Sequence, residues 1–117
     1  MPQLISQPTL IPVPGGKTIE EFIGQVNSKD TAVSVAVMNA PAGWSEPAQT
    51  PQFDEFTLVL TGSIDVEHDG GLTNVSAGQA IITRAGERVR YLTKEDTKYV
   101  AICLPAFSPE LVNREED

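Results

Sequence analysis

From Thr31 onward the apolar residues fall on every second position, in runs too short for helices and too regular for coil. Seven runs carry this period: Thr31 to Asn39, Phe53 to Thr61, Ser63 to His68, Leu72 to Val75, Gln79 to Thr83, Arg88 to Thr93 and Lys98 to Leu104. Glycine, proline or polar turns separate them, and Asp69-Gly70 between two alternating runs is a short-hairpin signal. Short strands at this rhythm predict an all-β sandwich or small barrel. With 117 residues the chain holds one domain and one modest core.

The ends read differently. Residues 1–30 are expected to form an N-terminal arm and a helix. Pro2, Pro8, Pro12 and Pro14 remove backbone donors from the arm, so it runs extended over something apolar, in its own core or on a partner subunit. Ile19, Phe22, Ile23 and Val26 recur at helical spacing, and Thr18 with Glu21 reads as a capping box, which predicts one short N-terminal helix. Residues 31–104 are expected to form the β-barrel. In residues 105–117, Ser108-Pro109-Glu110 predicts a short C-terminal helix over 109–115, and Glu115, Glu116 and Asp117 trail into solvent.

The strand from Phe53 to Thr61 constrains association. If Glu55 points inward, Phe56, Leu58 and Leu60 point outward, and each large apolar side chain left in water costs roughly 1.5–3 kcal/mol. That row predicts a sheet-to-sheet homodimer.

Charge narrows the partners. The formal net charge is -8 and the pI about 4.5. Such a surface repels phosphate backbones and anionic lipid, so neither nucleic acid nor membrane is expected as a partner. Cys103 is the single cysteine, and no leader-like or membrane-length apolar run is seen, so a cytoplasmic location is expected.

Gly43 to Gly62 has the spacing of a known motif. Gly43 is followed by five residues, then Gln49-Thr50-Pro51, three residues, Glu55, six residues and Gly62. Gly78 is followed by five residues, then Arg84-Ala85-Gly86, two residues, Val89, three residues and Thr93. This pattern resembles the two motifs of the cupin superfamily, and the resemblance covers roughly residues 31–104. It implies a double-stranded β-helix, the jelly-roll barrel. The framework positions Gly43, Glu55, Gly62, Gly78 and Gly86 match. Cupins generally hold a metal through histidines at the positions occupied here by Gln49, Pro51 and Val89, with a glutamate at Glu55.

Those replacements bear on cofactors. Proline and valine donate nothing, and transition metals favour imidazole or thiolate. No cofactor is expected. The alternative is a weakly bound divalent metal held by Gln49 and Glu55, with Glu46 as a third oxygen donor. Strand alternation gives the pocket a lining of Gln49, Phe53, Glu55 and Tyr91, with Trp44 at its rim: an apolar cup with a few polar groups, suited to a small-molecule ligand. Arg88 and Arg90 point away from it by alternation, whereas Arg84 has the chance to turn toward the mouth. Without a cation nearby, Glu55 is expected to have a raised pKa. His68 reads as a hairpin histidine and Cys103 as a small buried hydrophobe.

Three functions stay open. The first is a small-molecule-binding barrel that has lost its metal. The second, which the resemblance suggests, is a metal-free isomerase or epimerase in which Glu55 and Tyr91 carry the protons. The third is a weakly metal-dependent lyase, dioxygenase or isomerase using Gln49 and Glu55.

Overall fold

A computed structural model describes residues 1–116; Asp117, the end of the acidic tail, lies outside them. All seven period-two runs are strands: β3 (Ser34–Ala40), β4 (Asp54–Thr61), β5 (Ser63–His68), β6 (Gly71–Ser76), β7 (Ala80–Thr83), β8 (Val89–Leu92) and β9 (Thr97–Leu104). Two more strands precede them, β1 (Thr9–Ile11) and β2 (Thr18–Ile23), and one short helix, α1 (Pro109–Val112), follows. A six-stranded sheet has the order β1-β2-β3-β9-β4-β7, and a three-stranded sheet the order β6-β5-β8. All pairings are antiparallel. The two sheets close on a core of Val59, Ile64, Val66, Val75, Val89 and Tyr91, together with Trp44 and Tyr99.

The expected N-terminal helix is a strand instead. β2 pairs with β3, and the register slips between Glu21 and Ile23. This irregularity interrupts the alternation and leaves Phe22 and Ile23 both half-buried, so the apolar spacing imitates a helix. Glu21 does not close a capping box. Its buried carboxylate accepts from the amides of Val26 (3.0 Å) and Asn27 (2.7 Å) and fastens the turn after β2.

α1 is shorter than the sequence suggests, because Asn113 takes a left-handed conformation with φ 49° and ends it. Gly62, between β4 and β5, has φ +81°, and a Cβ there would stand 2.4 Å from the backbone oxygen of Asp96. Only glycine fits that crossing.

Candidate functional site

Between the sheets lies a cavity of about 430 Å³. Period two decides its lining. The inward positions of β3 supply Ser34, Ala36 and Met38, those of β9 supply Tyr99, Ala101 and Cys103, and β4 and β8 supply Glu55 and Tyr91. Ile11 and Val13 of the N-terminal arm close one side. The segment carrying Trp44, Glu46 and Gln49 closes another, held by reciprocal backbone bonds between Gln49 and Val89 (2.8 and 2.9 Å).

Four of the five predicted ligand-binding residues, Trp44, Gln49, Glu55 and Tyr91, therefore meet around one space. Phe53 does not. It is buried in a separate cluster with Cys103 and Val112 and packs against Phe107, their ring centroids 5.9 Å apart. The C-terminal segment covers that end of the strand, so a side chain in phase with Glu55 ends in core rather than cavity. Arg84 also departs from expectation. It turns outward to Asp54 (3.4 Å), with its guanidinium 5.6 Å from the Phe56 ring centroid. Arg88 and Arg90 point away as alternation requires, to Glu115 and Glu67.

Two cations that the sequence reading passed over do line the cavity. Lys17, one residue before β2, is buried with its nitrogen 4.4 Å from the Trp44 ring centroid and 5.4 Å from that of Tyr99. Arg114 lies beyond α1, where the chain doubles back along the segment bearing Gln49. The Glu115 amide donates to the Ala48 carbonyl (2.7 Å), and the Asn113 side chain donates to the Thr50 carbonyl (3.0 Å). This brings an Arg114 nitrogen 2.9 Å from Gln49 Oε1 and 3.4 Å from a Glu46 oxygen. The available signal for Lys17 was phase. Once residues 18–23 are read as a strand, Lys17, Ile19 and Glu21 share its inward face.

Burial sets the electrostatics. It pushes the Glu55 carboxyl up to about 7, against the pull of Lys17. It also lowers the Lys17 ammonium, against the pull of Glu46 and Glu55. The Tyr91 phenol is driven up by burial and by Glu55; its oxygen lies 3.3 Å from Thr83 Oγ1. A phenol so placed offers a hydrogen bond rather than a base. Cys103 is buried and its thiol is likewise pushed up, which suits packing and not nucleophilic chemistry. His68 stays on its hairpin, where Nδ1 accepts from the Gly70 amide (3.0 Å) and Nε2 lies 2.8 Å from Thr73 Oγ1.

The donor set does not fit a metal. Glu46, Gln49 and Glu55 do share the cavity, but the oxygens of Glu46 and Gln49 already face Arg114, and Lys17 adds a second positive charge. Among the described residues no three His, Cys, Asp or Glu side chains gather into a metal-binding group. Two cationic side chains lining the same space oppose a third positive charge there.

The same architecture occurs in solved structures. An RmlC-like cupin from Shewanella frigidimarina superposes with a TM-score of 0.76 at 12% identity, covering 93% of this chain and 94% of its own. This is a cupin fold. The polyketide cyclase RemF from Streptomyces resistomycificus matches with a TM-score of 0.76 at 18% identity, over 100% of this chain and 87% of that one. A variant of oxalate decarboxylase from Bacillus subtilis matches with a TM-score of 0.77 at 14% identity, over 94% of this cupin barrel and 31% of that chain. No family model matches the sequence. A curated protein of Myxococcus xanthus, "Endoribonuclease YbeY", is 44% identical over 108 residues, which are 91% of this chain. The chain spans only 37% of that relative's length.

Proposed function

We propose that this cupin barrel binds a small molecule without a metal, in a cavity built around a buried amine and a buried carboxyl. One observation carries the reading. Lys17 and Glu55 line the same space, and among the described residues neither has a salt-bridge partner within 4.0 Å. Charged or polar groups held away from water need partners, and a ligand supplies them. Trp44 is the chain's one tryptophan and lines the cavity, so its fluorescence reports occupancy. Titration with a panel of small metabolites is expected to shift Trp44 emission and raise the melting temperature together. A panel in which no compound does both would count against the reading.

A second reading is supported by the Glu55 carboxyl, whose pKa of about 7 is that of a group able to give and take a proton near neutrality. In it the barrel catalyses proton transfer on its ligand, with Lys17 rather than Tyr91 as the second carrier. Turnover of any compound found to bind, abolished by Glu55→Gln, would distinguish enzyme from binder. The ribonuclease activity in the name of the Myxococcus protein stays outside this proposal: this chain corresponds to little more than a third of that protein and carries a net charge of -8. A cytoplasmic location, with no nucleic acid or membrane partner, belongs to the same proposal. So does a second copy of the chain over the outward row Phe56, Leu58 and Leu60.

A further inference from the structure

The position of Lys17 says more about what the cavity holds. Its ammonium lies against the faces of Trp44 and Tyr99, which stabilise a cation through their ring quadrupoles. Arg114 is differently placed, since its guanidinium faces Glu46 and Gln49. Of the carboxylates lining the cavity besides Glu55, Glu46 is paired with Arg114 and Glu21 accepts from the Val26 and Asn27 amides, so among the described residues the Lys17 ammonium has no carboxylate within 4.0 Å. Glu21, Ser34 and Ser45 add polar groups to the lining, and most of the remaining wall, including Ile11, Val13, Ala36, Met38 and Phe107, is apolar. A ligand with one negative charge answers Lys17, and an apolar body suits most of the wall.

Resting on the reading that the cavity binds a small molecule, we propose that its ligand is an apolar or aromatic monocarboxylate. The carboxylate is seated on Lys17 and accepts a hydrogen bond from the carboxyl of Glu55. The charged and titratable groups that face Glu55 or share its cavity are Lys17 beside β2, Glu21 of β2, Glu46 of the closing segment, Tyr91 of β8, Tyr99 and Cys103 of β9 and Arg114 of the C-terminal segment. Of these, Lys17 and Arg114 favour its ionised form and Glu46 opposes it; burial outweighs them all. Glu55 therefore donates below neutrality and repels a carboxylate above it.

The test uses three matched probes, phenylacetate, phenylacetamide and phenethylamine, titrated against Trp44 fluorescence. Phenylacetate is expected to bind at least about tenfold more tightly than the other two. Lys17→Met should cost it about tenfold or more. Wild-type affinity should fall between about pH 6 and about pH 8.5, while Glu55→Gln, whose amide donates at every pH, keeps its affinity and loses the pH dependence. Circular dichroism of both variants checks that they fold. If the amide or amine binds as well as the acid, or Glu55→Gln shows the same fall with pH, the carboxylate assignment fails and the binding reading stands. If none of the three binds, the assignment and the reading both lose their support.

Discussion

Along β4 the inward positions carry Glu55, Thr57 and Val59, and the outward positions carry Phe56, Leu58 and Leu60. A strand with one face in a core and one in water shows the opposite pattern. Here a carboxyl and a hydroxyl are buried, whereas Leu58 and Leu60 remain 43% and 44% exposed. The outward row continues onto neighbouring strands through Ile82 and Leu104, both exposed, and through Ile102. Burial alone would select neither face. Under the proposed function, a ligand that needs polar partners accounts for the inner one, and a second copy of the chain covers the outer one. The two faces share a backbone and differ only in side chains, so substitutions can separate their roles.

The largest expected effect is on the inner phase. Phe53→Ala empties a site that is 1% exposed and should cost about 3–5 kcal/mol in urea unfolding. Leu58→Ala, one face over, should cost the monomer less than about 1 kcal/mol. Because Phe53 stands outside the cavity lining, the destabilised variant should still report ligand through Trp44. Equal losses at the two positions would remove the distinction between the faces.

Glu55→Gln comes next. In the folded chain the Glu55 carboxyl is raised from about 4.5 to about 7. Between those values the folded state keeps a proton that the unfolded chain has released. Stability therefore falls as pH rises through this window, by at most about 3 kcal/mol, and levels off above it. The variant should lack this fall and be the more stable protein at about pH 8, with the difference closing toward about pH 4. Urea midpoints across that range measure it. A wild-type curve that does not descend would show that Lys17 holds Glu55 ionised.

On the outer face, Leu58→Asp tests the cover. Light scattering should find the wild type as a dimer and the variant as a monomer with an unchanged melting profile at low concentration. A monomeric wild type would leave the exposed leucines without a partner copy.

These faces also show what can be read from sequence. Alternation made β3 to β9 visible, and the motif resemblance, which set Gln49, Glu55 and Val89 inward, let alternation carry that face on to Tyr91. The reading failed where phase was broken or ran out. The register slip after Glu21 turned β2 into a false helix, and with it Lys17 was lost from the lining. Phe53 had the right phase but the wrong height, because what caps its end of the strand is α1 and Phe107, far along the chain. Arg114 reaches the cavity only because Asn113 turns left-handed and sends the chain back toward Gln49. Local periodicity carries no record of such returns.

The smallest effect is the most discriminating for the inner face. Thr57 lies between Glu55 and Val59, is 1% exposed, and its Oγ1 has no hydrogen-bond partner among the described residues. A hydroxyl buried without a partner forfeits its hydration, so Thr57→Val, which keeps the side-chain shape, should raise stability by about 1 kcal/mol. The ligand-free protein is the one to measure. If the substitution instead destabilises by a similar amount, the hydroxyl is satisfied in solution by water, and the polar inner face of β4 extends one residue deeper than Glu55. If it stabilises the protein and leaves ligand affinity unchanged, the polarity that matters for binding is confined to Glu55, and Thr57 belongs with Val59 to the core.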